Sequence, residues 1–209
     1  MLKKFLTAAL ITSMLILPVS SVTPSVYGEA SAAGQSYLPG DVPAETDAEE
    51  SMTPALHALV LAMLNHDADT FDFADDTLAW EGLYNMLSLY GQMDTRSIPE
   101  DGRLLMPEET VRDYAAALAV DPELLDSPPS AIWDRLNYDN VSRCYTVVCG
   151  EDGLAQVRVD SLTPTPQGCV LTGALVYQVD GRTLAKFQAD LHTADSMFGY
   201  QISAVTIAA

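Results

Sequence analysis

The densest set of potential metal ligands lies between two predicted helices, where the chain reads Asn65-His66-Asp67-Ala68-Asp69-Thr70-Phe71-Asp72-Phe73-Ala74-Asp75-Asp76. Oxygen ligands converging from a short loop suit a hard cation such as calcium. Counted from Asn65, acceptors fall at the first, third, fifth and twelfth positions, as in an EF-hand loop. Asp67, Asp69 and Asp76 are therefore candidate calcium ligands. Two departures weaken the pattern: Thr70 stands where the turn glycine belongs, and Asp76 replaces the longer bidentate glutamate. The same residues also read as a solvated loop whose acids cap the next helix.

Other chemistries find less support. The histidines are His57, His66 and His192, and no HExxH pair exists, which excludes a zincin. No serine sits in GxSxG or SxxK, and there is no phosphate loop or dinucleotide fingerprint. Each histidine reads as a hydrogen-bonded surface group. Cys144 and Cys149 fall on one predicted strand and face opposite sides. In a meander Cys169 would lie level with Cys144 but two strands away, roughly 9–10 Å, beyond disulfide reach. Three free, mostly buried thiols are expected. Adjacent acids such as Glu108-Glu109 and Asp75-Asp76 are common in a chain with 29 Asp and Glu, so they do not by themselves mark a hydrolase cleft. Trp80, Tyr84, Tyr90 and Trp133 suggest a sugar platform, yet three of them share one helical stripe, which points to core packing.

These groups must be positioned by an α+β fold. A first helix is expected from the Thr53 cap and Pro54, with Leu56, Leu59, Val60, Met63 and Leu64 on one stripe. Thr77 is the expected cap of a second helix carrying Trp80, Leu83, Tyr84, Leu87 and Tyr90. Residues 92–105 read as irregular. Pro107-Glu108-Glu109 opens a third helix with acids at the positive end of its dipole, burying Val111, Tyr114, Ala115 and Leu118. Short helical turns follow near Asp121 and Ser130, with Trp133 and Leu136 anchoring the second to the core. From Tyr138 the period becomes that of strands. Residues 143–149 and 155–160 are expected to form a hairpin, then strands at 169–179, 183–192 and 199–207, with an Asp180-Gly181 turn. Helices first and strands last predict N-terminal helices on one face of a C-terminal, mostly antiparallel meander of about five strands, cystatin-like or NTF2-like.

The chain opens with Lys3-Lys4, an uncharged apolar run from Phe5 to Leu17, Pro18, and small residues up to Ala33. This is the order of a secretory signal peptide, and the run is shorter than the ~20 residues of a membrane span. The expected organisation is a signal peptide at 1–32, a disordered acidic tether at 33–50, and a single domain at 51–209, helical over 51–137 and a β-meander over 138–209. No second apolar run follows, and no cysteine near the cleavage site offers a lipid anchor. The expected product is secreted. The formal net charge is −19; such a surface repels nucleic acid and anionic lipid, which argues against both as partners.

The stretch FQADLHTADSMFGYQISAVTI (Phe187 to Ile207), together with Pro107 to Leu125 and the start of the sheet, resembles uncharacterised exported proteins of anaerobic Gram-positive bacteria. The resemblance spans about half of the mature chain. It implies a bacterial extracellular setting and brings no catalytic residue with it. Export without a catalytic signature points to a non-catalytic module that meets an extracellular or cell-wall partner. A hydrolase using carboxylates in a cleft between helices and sheet, and a calcium-stabilised module, are the alternatives.

Overall fold

The computed structural model describes residues 45–150 and 154–208, with side chains from Ala48 onward. The expected signal peptide, and the expected tether as far as residue 44, lie outside the described residues. The described residues group into one compact unit. The fold is α+β, with its helices near the N-terminus and a C-terminal antiparallel meander, as expected. Among the described residues no helix is long and apolar enough to cross a membrane.

Helix α1 spans Glu45–Asn65, so it begins within the segment expected to be a tether. Pro54 lies inside the helix rather than at its start. A mid-helix proline removes one backbone hydrogen bond. The Thr53 hydroxyl donates to the Glu49 carbonyl at 2.7 Å, and burial of Ala48 and Met52 rewards the added turns. The buried surface is wider than one stripe: Ala55, Ala58 and Ala62 are as buried as Leu56, Leu59 and Met63. The reason is that α1 is covered on two sides, by helix α2 (Asp76–Tyr90) and by the C-terminal sheet. Gly82 of α2 allows the close approach, since a Cβ there would lie 3.2 Å from Leu59 Cδ1.

The C-terminal sheet runs β5 (Ala155–Thr165), β6 (Gly168–Tyr177), β7 (Thr183–Thr193) and β8 (Tyr200–Ala208), each pairing antiparallel with the next. Its inner face carries Leu171, Leu175, Phe187, Ala189, Leu191, Ile202 and Val205, all buried. A second antiparallel sheet has the order β1-β2-β4-β3. Its strands are β1 (Ile98–Glu100), β2 (Arg103–Pro107), β3 (Leu136–Asp139) and β4 (Cys144–Val148). Eight strands in two sheets thus replace the single sheet of about five expected from the sequence. The hairpin expected between residues 143–149 and 155–160 does not form: β4 pairs with β2 and β3, whereas β5 pairs with β6. Residues 92–105, read as irregular, hold β1 and the start of β2, and the stretch expected to be helical (51–137) contains β1, β2 and the start of β3. Helix α3 (Glu108–Ala117) buries Val111, Tyr114 and Ala115, with Leu118 buried at its C-cap, as expected. The one-turn helix α4 (Ser130–Trp133) follows Pro128-Pro129.

The three cysteines are free, with Cys169 buried and Cys144 and Cys149 half-buried. Cys144 and Cys169 belong to different sheets, rather than lying two strands apart in one meander.

A tight backbone approach in the C-terminal sheet lies at Gly173, opposite a bulge between Val159 and Ser161. A Cβ there would lie 2.6 Å from the Arg158 carbonyl oxygen and 3.1 Å from Phe187 Cζ. Overpacking of this kind costs about 1–3 kcal/mol. Gly173→Ala is therefore expected to lower unfolding free energy by about 2 kcal/mol in urea titrations, whereas a loss under about 0.5 kcal/mol, typical of surface changes, would contradict the close approach.

Candidate functional site

The acidic loop uses its groups structurally. Asp67 takes a left-handed conformation, φ 52°, and ends α1. Its N–H donates to Leu64 O and the Ala68 N–H to Met63 O, the double bond of a Schellman cap. The Asp69 carbonyl accepts from Ile207 N–H at 2.7 Å, and Phe71 N–H donates to Val205 O at 3.0 Å, so the loop backbone pairs with the open edge of β8. Asp75, rather than the expected Thr77, caps α2 by accepting from the N–H groups of Thr77 and Leu78. Asp76 Oδ2 accepts from Asp126 N–H at 2.9 Å. Among the described residues no group of three or more His, Cys, Asp or Glu side chains is placed to hold a metal ion, so Asp67, Asp69 and Asp76 do not form a ligand set.

The concave site lies elsewhere, at the open side of the N-terminal sheet. Alternation puts Leu136 and Tyr138 of β3 on one face. Register places them opposite Val147 and Tyr145 of β4. Leu136 and Val147 are covered by the core, whereas Tyr138, farther along, is 40% exposed. Its ring lies 4.7 Å from that of Tyr145, tilted by 42°. Trp80 closes the floor, 3% exposed, and its indole N–H donates to the Asp126 carbonyl at 2.8 Å. That bond and the one Asp126 N–H donates to Asp76 fix the loop of residues 121–128 against α2. In α4, Ile132 turns inward and Trp133 outward, 1% and 62% exposed. The expectation that Trp133 anchors the core is thus corrected: Ile132 does so. The result is a cleft of about 300 Å³ lined by Trp80, Trp133, Tyr138, Tyr145, Leu125 and Asp126, among others.

Of the four aromatic residues singled out in the sequence, Trp80 and Trp133 meet here. Tyr84 is buried, its hydroxyl donating to Val148 O and its ring under the Arg135 guanidinium at 4.4 Å. Tyr90 joins His57. Sequence reasoning missed Tyr138 and Tyr145, because their meeting depends on a strand register that the sequence leaves open.

The polar rim is held by Glu108 at the start of α3. It accepts from Tyr138 Oη and Arg143 Nε, both at 2.9 Å, and pairs with Arg112. Hydrogen bonds from Arg143 and then Tyr138 hold the Glu108 carboxyl below its ordinary range. Glu108 is thus an ionised clamp on the Tyr138 hydroxyl. Burial pushes the Tyr145 phenol up to about 12, so both tyrosines stay neutral at physiological pH.

A second hollow, about 260 Å³, is lined by His57, Tyr90, Gln156 and Gln178, among others. His57 is buried, contrary to the surface role expected of it. Its Nδ1 shares a hydrogen bond with Tyr90 Oη at 2.6 Å, and its Nε2 has no partner among the described residues. Burial lowers the pKa of His57. The described lining holds no acid beside this pair. His66 is exposed in the acidic loop and His192 half-buried on β7. The turn at Met197 to Tyr200 is a packed end, with Phe198 edge-on to Tyr114 at 5.6 Å and Tyr200 buried.

The chain matches no protein-family model, no curated protein and no solved structure.

Two measurements follow. Melting temperatures in calcium and in chelator are expected to agree; a higher value in calcium would restore a site at Asp67, Asp69 and Asp76. Because the folded pKa of His57 is depressed, the unfolded chain binds a proton near pH 6.5 that the folded chain refuses. Stability should therefore fall as pH drops below about 6.5 and level off once the folded pKa is passed. His57→Gln should flatten this slope in urea titrations at pH 7.5 and 5.5, and an unchanged slope would refute the assignment.

Proposed function

We propose that this protein is a non-catalytic binding module acting outside a bacterial cell, with the aromatic cleft as its contact site. The observation that carries the reading is Trp133, an indole held 62% exposed at the mouth of a concave, ring-lined cleft. Exposed aromatic residues around a pocket mark contact surfaces, where one ring supplies a large apolar area at little entropic cost. The three-part N-terminal segment supports export. The net charge of −19 suits a soluble extracellular protein and disfavours nucleic acid and anionic membranes.

Hydrolysis of a glycosidic bond needs two acids flanking the scissile bond, one held protonated. Asp126 is the one acid in the described lining. Glu108, which accepts from the Tyr138 hydroxyl of that lining, is kept ionised by its hydrogen bonds from Arg143 and Tyr138. Such a group orients Tyr138 and is unsuited to donate a proton.

The test is retention without release. The chain is expected to sediment with purified bacterial cell walls and to liberate neither reducing ends nor peptides. Trp133→Ala should lower the retained fraction at least about fivefold with an unchanged melting temperature. Release of soluble products would overturn the non-catalytic reading, and retention independent of Trp133 would remove the cleft from it.

A further inference from the structure

The cleft carries more chemistry than an apolar groove. Asp126 is immobilised through its backbone, with the N–H given to Asp76 and the carbonyl to the Trp80 indole. Its carboxylate points from an exposed position and makes no hydrogen bond or ion pair with the described residues. Ser127 beside it is exposed, and its hydroxyl is likewise uncommitted. Both border a cleft whose walls are aromatic. A carboxylate on a tethered backbone and a hydroxyl next to open ring faces make an amphipathic surface: flat and apolar in the middle, accepting and donating hydrogen bonds at one side.

The ligand that mirrors this surface is a pyranose with equatorial hydroxyls. Its axial C–H groups form an apolar face that lies on an indole or phenol ring. Its vicinal hydroxyls, spaced around the edge, can both donate to the two oxygens of one carboxylate. A cleft of about 300 Å³ is at the small end of ligand sites and admits about one or two such rings. Charge narrows the class further. Asp121 and Glu123 share the loop with Asp126, and the chain carries −19, so uronates, sulfates and phosphates are repelled.

We infer that the cleft between Trp133, Tyr138 and Asp126 binds an uncharged, β-linked glycan of gluco-configured rings, with the sugar face on Trp133 and ring-edge hydroxyls on Asp126. This rests on the cleft being the binding site. Glu108 is the positioning residue: by accepting from Tyr138 Oη it holds the hydroxyl end of the second ring in place.

The inference is tested by calorimetric titration of the chain with cellohexaose and chitohexaose, with a hyaluronan hexasaccharide and a proline-rich decapeptide in parallel. Binding of at least one uncharged hexasaccharide, without the hyaluronan fragment, is expected. Trp133→Ala should weaken that binding at least about tenfold and Asp126→Asn about threefold or more, as for anchor and flanking contacts. Both positions are exposed, so both variants should melt with the unchanged chain. If neither uncharged hexasaccharide binds, or binding survives Trp133→Ala, the saccharide class is wrong. Should the proline-rich peptide bind instead, in a Trp133-dependent way, the cleft would remain a binding site for a different ligand. Loss of Trp133 dependence for every probe, cell walls included, would remove the cleft itself.

Discussion

The fold depends on helix α2 being buried on opposite sides. Every residue from Leu78 to Ser88 is buried, because α1 lies against one side and the N-terminal sheet against another. A helix so enclosed cannot leave its polar side chains to water, and α2 carries several. Asn85 donates to the Ala58 carbonyl of α1, Ser88 donates to Asn85 O, and Glu81 pairs with Arg135 at 3.3 Å. An unsatisfied buried polar group costs about 1–3 kcal/mol. The bonds that leave the helix, from Asn85 to Ala58 and between Glu81 and Arg135, therefore fix the rotation of α2 about its axis, and with it the direction in which Trp80 faces.

From that rotation the cleft follows. Trp80 reaches the loop of residues 121–128 through its indole N–H, while Asp76 at the start of α2 holds the Asp126 N–H. The loop is tied to one helix at two points, one side chain above the other. The opposite wall belongs to the N-terminal sheet, where Arg135 stacks on Tyr84 and the Tyr84 hydroxyl reaches Val148 O. Both walls are thus referred to α2, which makes the gap between them a fixed feature of the fold. The rim is set independently by Glu108, whose ion pair with Arg143 bridges α3 to the turn before β4.

Much of this was legible in the sequence, and the failures share a cause. The stripe of α3 and the C-terminal meander were readable because their periodicity is local and strong. The start of α1 was misread, since Thr53-Pro54 is a start signal by local chemistry and the burial of Ala48 and Met52 outweighed it. The N-terminal sheet was missed because β1, β2 and β3 are each five residues or shorter, too short for alternation to show. Once β2 and β3 exist, β4 has partners on both sides, and the apparent hairpin with β5 loses its reason. The cleft inherits the same blindness: Tyr138 and Tyr145 meet only through the pairing of β3 with β4. The acidic loop shows the converse. Its residues looked like ligands by spacing, yet backbone needs claimed them, as helix caps, as a β8 partner and as an anchor for residue 126.

The placement of Trp133 is a different matter, since the requirements of the fold do not call for it. Helix α4 is a single turn set by the prolines before it, and one of its residues must enter the core. Ile132 does, at 1% exposed. The next position then points away, whatever residue occupies it. Folding would be served as well by a serine or a lysine there, because an indole 62% exposed buries little area and the hydrophobic gain scales with area removed from water. A large apolar ring at such a position gains its burial only when something covers it. The neighbouring residues then decide what that can be: an aromatic wall that is already rigid, and a carboxylate whose backbone is tied down and whose oxygens are open.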